Sequence, residues 1–338
     1  MKKLISLICV LAMVLALAAC GSSAPAAATE APAASTEAPS ADVSTDKTFV
    51  VGICQLVQHP ALDAATQGFK DALTEALGDK VTFQEQNASG DSATCSLICN
   101  QFVSDEVDLI MANATASIQA AASATNTIPI LGTSITDYGV ALGVDNWTGV
   151  SGTNISGTSD LAPLDGQAAM IQELFPDAKT IGLLYCSGEP NSIFQADSME
   201  ALLTDMGYSV ERYTFADSND VSSVTANACS NSDVLYIPTD NTAASCTEAI
   251  NNVALSAGVP IVAGEEGIAS GCGAATLSIS YYDLGRATGE MAAEILTEGA
   301  DISTMEVRFA PAFTKEYNAD ICEALNITVP EDYVAIAK

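Results

Sequence analysis

From residue 47 onward the chain alternates short apolar runs with longer segments whose apolar positions recur every three or four residues. The first run, "FVVGICQ", leads into "ALDAATQGFKDALTEAL", where Leu62, Ala65, Phe69, Leu73 and Ala76 fall on one helical face. A short apolar run without polar alternation is the pattern of a strand covered on both sides. The order continues as strand "VTFQEQ", helix "TCSLICNQFVS", strand "VDLIMAN", helix "SIQAAASAT" and strand "IPILGTS". Such alternation predicts a parallel sheet with helices on both faces.

The second half repeats the plan. It reads as strand "TIGLLYC", helix "FQADSMEALLTDMG", strand "SVERYTF", helix "VSSVTANAC", strand "DVLYIPT", helix "AASCTEAINNVALSAG" and strand "VPIVAGE". Two segment pairs match by eye: "VDLIMANATASIQAA" with "SDVLYIPTDNTAASC", and "IPILGTS" with "VPIVAGE". A structural duplication follows, with two Rossmann-like α/β lobes rather than one doubly wound sheet. Beyond Cys272 lie a strand-like "ATLSIS", a helical "LGRATGEMAAEILTEG", a strand-like "MEVRFAP" and a last helix in "KEYNADICEALNI". If these complete each lobe in turn, the chain crosses between lobes near 160, 275 and 305. Lobe 1 is then 47–160 plus about 276–304, and lobe 2 is 161–275 plus about 305–338. Several neighbouring connections make a hinge.

The segment before residue 47 has a different character. Lys2 and Lys3 precede an apolar stretch from Leu4 to Ala19, the layout of a secretory signal over 1–19 and shorter than the roughly 20 residues of a membrane span. It ends in "LAAC", which resembles the bacterial lipobox and makes Cys20 the expected lipidated first residue of the mature chain. The next 26 residues, small, polar and acidic with no aromatic, Lys or Arg, cannot bury a core and read as an extended tether over 20–46. The expected location is the extracytoplasmic face of the cell membrane, held there by lipid only.

Charge narrows the partners. Without Lys2 and Lys3, 9 of the 11 basic residues remain against 42 acidic ones, a net charge near −33. Phosphate backbones and anionic headgroups are repelled by such a chain, which argues against nucleic acid and against polybasic docking to membranes. Eight cysteines remain once Cys9 and Cys20 are set aside. They are scattered, with no CxxC pair, and with a single histidine no four-ligand zinc site assembles. Buried free thiols are the expectation, with disulfides left open. No GxSxG elbow, HExxH, Walker loop or dinucleotide fingerprint is present, so neither an enzyme nor a cofactor-dependent role is expected.

Parallel α/β sheets bind ligands outside the carboxyl ends of their strands. Those ends here are "QLVQHP", "NASGD", "NATAS" and "TSITD" in the first half, and "CSGEPNS", "ADSND", "PTDNT" and "GEEGI" in the second. They are rich in Ser, Thr, Asn, Asp and Glu, and helix N-termini follow most of them. Backbone N–H groups and hydroxyls there can receive a carboxylate, and Asp240, Glu265 and Glu266 an ammonium. Taken singly, each residue is also a good N-cap or turn former. The one histidine, His59, precedes Pro60 at an expected helix start. Its imidazole can also donate to a bound carboxylate or to the opposite lobe.

These residues resemble a known family, the substrate-binding lipoproteins of ABC importers of the tryptophan/tyrosine type, with the type I periplasmic-binding-protein fold. The resemblance spans 47–338 and rests on "GICQLVQHPALDAATQGFKDAL", "NASGDSATC", "FVSDEVDLIMANAT", "FPDAKTIGLLYCSGEPNS", "VLYIPTDNT" and "ATLSISYYDLGRATGEMAAEIL". It implies capture of a small ligand, commonly an aromatic amino acid, between closing lobes that deliver it to an ABC permease and its ATPase. Carried over by position, it puts Gln55, His59, Thr115, Ser117, Thr136 and Asp137 on one side of the cleft. Glu189, Asn191, Ser192, Asp240, Asn241 and Glu265 face them. On this reading Asp240 pairs with the ligand ammonium, while Thr115, Ser117, Asn191 and Ser192 hold its carboxylate. Tyr138, Phe194, Tyr281 and Tyr282 are the stacking candidates, and Trp147 is a packing residue. Two departures, Tyr138 after "TSITD" and the double acid of "GEEG", border the cleft and leave ligand identity open. A nucleoside or sugar ligand, or a sensor presenting its closed form to a receptor, is the alternative.

Overall fold

In the computed structural model, residues 47–310 and 312–337 are described. The signal, Cys20 and tether expectations lie outside them. The first sheet is built from β1 (Phe49–Gln55), β2 (Val81–Asn87), β3 (Leu109–Asn113), β4 (Ile130–Ile135) and β5 (Ile155–Ser159). Between these strands run α1 (Pro60–Leu77), α2 (Ser92–Ser104), α3 (Thr115–Ala124) and α4 (Tyr138–Leu142). The chain then forms α5 (Leu164–Leu174), β6 (Thr180–Cys186), α6 (Pro190–Asp205), β7 (Ser209–Phe215), α7 (Val221–Asn231) and β8 (Val234–Ile237). It continues with α8 (Asn241–Ala244), α9 (Thr247–Ala257), β9 (Ile261–Ala263), α10 (Glu266–Gly271) and β10 (Ala275–Ser278). The tail adds α11 (Tyr281–Glu298), β11 (Arg308–Phe309), β12 (Thr314–Tyr317), α12 (Ala319–Leu325) and β13 (Val334–Ala335).

The duplication is explicit in the strand order. One sheet runs β11-β5-β4-β3-β1-β2 and the other β13-β12-β10-β9-β8-β6-β7. Each therefore contains the same five-strand order, with its first strand between the second and third, and neighbours pair in parallel except β10 with β12. This is the two-lobed type I periplasmic-binding arrangement.

β1 shows why the strand runs are apolar throughout. Val51 and Ile53 face Phe69, Leu73 and Met291 on one side of the sheet, while Cys54 faces Cys95, Phe102 and Ile118 on the other. Alternate residues project to opposite faces, so a strand between two helical layers needs apolar side chains at every position. Helices α1 and α11 approach backbone to backbone. A Cβ on Gly68 would sit 2.0 Å from the Tyr282 carbonyl oxygen, and one on Gly285 would sit 2.0 Å from that of Ala65.

The tail departs from the sequence reading. "ATLS" is β10 and pairs with β9 and β12 in the second sheet, so 275–278 belong with lobe 2, not lobe 1. "RF" of "MEVRFAP" is β11, pairing with β5 in the first sheet. The second and third crossings therefore fall after Ser278 and after Phe309 rather than near 275 and 305. "KEY", expected to be helical, is the part of β12 that pairs antiparallel with β10 and fills an open sheet edge. The single helix expected from "AASCTEAINNVALSAG" is divided into α8 and α9 at Ser245 and Cys246.

All eight cysteines among the described residues are free, and all but half-buried Cys246 are buried. Among the described residues no group of three His, Cys, Asp or Glu side chains is placed to hold a metal ion. No described helix is long and apolar enough to cross a membrane.

Candidate functional site

The carboxyl ends of β1 and β4 face those of β8 and β9 across a tight cavity, with about 10 Å³ open to the centre of a water-sized sphere, room for about one water. Lobe 1 contributes His59, Leu62, Ser134, Thr136 and Asp160, and lobe 2 contributes Asn191, Thr239, Asp240, Asn241, Ala244 and Glu265. Tyr281, at the start of α11, closes the hinge side. No Lys or Arg lines it.

Three of the cavity's side chains carry a buried polar atom with no partner: His59 Nδ1, Ser134 Oγ and Asp160 Oδ1. Buried polar atoms are almost always hydrogen-bonded, so three orphans on one cavity wall describe the bonding demands of whatever fills it. Ser134 is brought there by a register shift between Gly132 and Ile135 in the β4–β5 pairing. Its φ of 56° is in the left-handed region, a strained conformation for a residue other than glycine.

His59 is the residue before α1, with Pro60 at the first helical position, and it makes no side-chain cap. Its Nε2 lies 3.3 Å from Asn241 Oδ1 in the opposite lobe. The Asn241 amide is oriented by Nδ2 donating to Glu189 at 2.7 Å. Asn241 therefore presents its oxygen to His59, and this assigns the ring proton to Nε2. Burial holds the imidazole below its ordinary pKa, and a neutral ring leaves Nδ1 as an acceptor. That removes the sequence expectation that His59 donates to a ligand carboxylate.

Three carboxyls surround the cavity with different duties. Asp240 caps α8, its two oxygens accepting from the N–H of Ala243 at 2.8 Å and of Cys186 at 2.7 Å. Burial, then the charge of Glu189, pushes its carboxyl above the ordinary range. Glu265 caps α10 by accepting from Gly267 and Ile268, and burial raises it to about 7. Asp160 accepts from the Tyr281 hydroxyl at 2.9 Å through Oδ2 alone, and burial raises it to about 6. Only Asp160 among them has an oxygen with no hydrogen-bond partner.

A model of the family described as ABC transporter substrate binding protein matches residues 50–338. The chain belongs to the ABC transporter substrate-binding protein family. It is 38% identical over 280 residues to a tyrosine-binding protein of Clostridioides difficile (strain R20291), covering 82% of this chain and 81% of that protein. A Streptococcus pneumonia domain solved in complex with L-Trp is 31% identical, with 86% of this chain and 100% of that one covered and a TM-score of 0.82. The ligand-free, open structure of a substrate binding protein with adhesive properties from Clostridium difficile is 37% identical over 86% and 100% of the two chains, with a TM-score of 0.66. This substrate-binding chain thus follows the L-Trp complex in shape although the open structure is nearer in sequence. The His59–Asn241 bond across the cleft agrees with a closed arrangement of the lobes.

Of the twelve residues carried over by position, the cavity of this substrate-binding chain gathers His59, Thr136, Asn191, Asp240, Asn241 and Glu265. The others lie elsewhere. Gln55 is occupied within lobe 1, donating to Val57 and Asp63 and accepting from Thr66. Ser117 is fully buried between the thiols of Cys54 and Cys95, at 3.7 and 3.6 Å, and Thr115 is buried at the start of α3. Asp137 caps α4 through Val140 N and lines a surface groove beside that helix. Glu189 spends both oxygens on the backbone and side chains of Asn241 and Thr242. It lines a separate outer groove. Ser192 is buried beneath Asn191, which donates to Glu189 and to the Thr239 carbonyl.

Among the aromatic candidates, Tyr138 is a core residue. Its hydroxyl donates to the carbonyls of Gly132 and Thr158, and its ring stacks on Trp147. Tyr282 bonds Asp71 on the surface. Tyr281 alone of the four lines the cavity. Sequence reading missed Ser134 and Asp160. Ser134 stood in the quoted "TSITD" loop two residues before Thr136, but only the bulge turns it inward. Asp160 follows β5 at the first crossing, where a carboxylate gave no pattern beyond its place beside the expected hinge.

Proposed function

We propose that this chain captures one aromatic amino acid in the inner cavity and, as an extracytoplasmic lipoprotein, delivers it to an ABC permease and its ATPase, without catalysis. The observation that carries the reading is the convergence of His59 Nδ1, Ser134 Oγ and Asp160 Oδ1 on the same cavity. Two of these atoms accept hydrogen bonds, which suits an ammonium held by the charge of Asp160 with His59 beside it. The Ser134 hydroxyl is left to donate to the ligand carboxylate. Asp160 takes the ammonium role in place of Asp240, whose two oxygens each already accept a backbone N–H. The tyrosine-binding relative and the L-Trp complex favour an aromatic side chain.

Calorimetric titration of L-tyrosine, L-tryptophan, L-phenylalanine, adenosine and glucose into the purified chain tests this. Binding is expected for at least one of the three amino acids and for neither of the others. Asp160→Asn is expected to abolish that binding, whereas Asp240→Asn lowers the unfolding temperature first. Wild-type affinity in Asp160→Asn, or a shift with adenosine or glucose alone, rejects the assignment. Mass spectrometry of the membrane-associated chain, with Cys20 expected to carry a diacylglyceryl group in thioether linkage on its sulfur and an acyl group on its amino group, tests the anchor.

A further inference from the structure

Asp160 begins the first crossing between the lobes, immediately after β5, and Tyr281 opens α11 directly after the second. The 2.9 Å bond from the Tyr281 hydroxyl to Asp160 Oδ2 therefore joins two of the three connections, and it does so on the wall of the cavity. Both side chains are buried. The bond occupies one carboxylate oxygen and leaves the other, Oδ1, unpartnered.

We propose that Tyr281 is a positioning residue for ligand capture, which by donating to Oδ2 of Asp160 holds Oδ1 ready for the ligand ammonium and couples that contact to the hinge. This rests on the ammonium role of Asp160 proposed above. Thr136 and the backbone N–H of Asp160 itself also favour the ionised carboxylate, each less than Tyr281 does. His59 faces Asp160 from the start of α1, Asp240 and Glu265 from the caps of α8 and α10, and Thr136 from the loop after β4. Tyr138 on α4 is near enough for the charge of Asp160 to oppose its ionisation, but its hydroxyl is spent on two carbonyls. Two of these neighbours are acids and the imidazole is held neutral. The Tyr281 hydroxyl is thus the main neutral donor that favours the ionised carboxylate against burial. Without it the carboxyl must take up its proton at higher pH, and a protonated Asp160 attracts an ammonium weakly.

Phenylalanine at 281 removes the hydroxyl and keeps the ring packed against Ala61 and Leu284. Affinities for L-tyrosine and L-tryptophan are measured by calorimetry from pH 5 to 8.5 in wild type, Tyr281→Phe and Asp160→Asn. Wild-type affinity is expected to fall as pH drops through about 6. In Tyr281→Phe the fall is expected to begin at least about one pH unit higher, with roughly 10–100-fold weaker binding at pH 7 and recovery toward wild type at pH 8.5. An unchanged midpoint in Tyr281→Phe, with or without a uniform loss of affinity, overturns the role of Tyr281. If Tyr281→Phe does not fold, a chain labelled with 3-fluorotyrosine, a stronger donor, is the second probe. Its midpoint is expected to move down, and an unmoved midpoint overturns the proposal. Wild-type behaviour of Asp160→Asn removes the ammonium reading itself. Loss of binding in Asp160→Asn together with a wild-type pH profile in Tyr281→Phe removes only the present inference. Absence of binding of either amino acid to wild type removes both.

Discussion

His59 Nε2 and Asn241 Oδ1, 3.3 Å apart, belong to different lobes and separate the inner cavity from the outer groove. The same Asn241 lines both spaces.

A bond present only when the lobes are together acts mainly on escape. Asn241→Ala is expected to raise the ligand dissociation rate about fivefold or more and to change the association rate little, since a bond of about 1 kcal/mol is lost. Stopped-flow fluorescence with the bound amino acid measures both rates. An effect confined to association would contradict the closure role.

Ser134 carries an unpartnered buried hydroxyl on a strained backbone. Ser134→Ala removes the unsatisfied group without changing the backbone requirement. The ligand-free protein is expected to gain about 1 kcal/mol of stability while the amino acid binds about 5–10-fold more weakly. Urea unfolding and calorimetry together read the two opposed effects.

Gly285 lets α11 lie directly on α1, with the Ala65 carbonyl where a side chain would be. The obstacle is backbone and cannot rotate away. Gly285→Ala is expected to cost about 2–3 kcal/mol or more, seen as a lower urea midpoint with an unchanged slope. Wild-type stability would mean that the helices separate at little cost.

Burial raises Asp160 from an ordinary value of 3.8 to about 6 and Glu265 from 4.5 to about 7. Between about pH 4 and 7 the folded chain therefore holds protons that the unfolded chain releases. The ligand-free protein is expected to gain stability from these groups as pH falls from 7 toward 5, each contributing of order 3 kcal/mol over the full window. Stabilisation by the amino acid is expected to shrink over the same interval, because the ammonium requires an ionised Asp160. Thermal unfolding with and without ligand at pH 5, 6, 7 and 8 checks both signs. Ligand stabilisation that grows toward pH 5 would contradict the account.

The two lobes were legible because buried parallel strands must be apolar at every position and their covering helices must be apolar on one stripe. Both constraints are local in sequence, and the duplication repeats them in the same order. The loops at the strand ends were legible for the same reason, since strand direction alone decides which ends face the cleft. What those loops do was not. A carboxylate after a strand and before a helix can cap the helix or bind a ligand, and the sequence is the same in either case. Asp240, Glu265 and Glu189 turn to backbone N–H groups because those donors lie within reach once the helices are placed. The assignment of β10 and β11 to opposite sheets likewise depended on which open edge each short strand could fill. Local patterning determined the lobes and the rim of the cleft. Long-range geometry decided that Asp160 and Ser134, one at the hinge and one on a bulge, join His59 as the cavity residues left with atoms to offer.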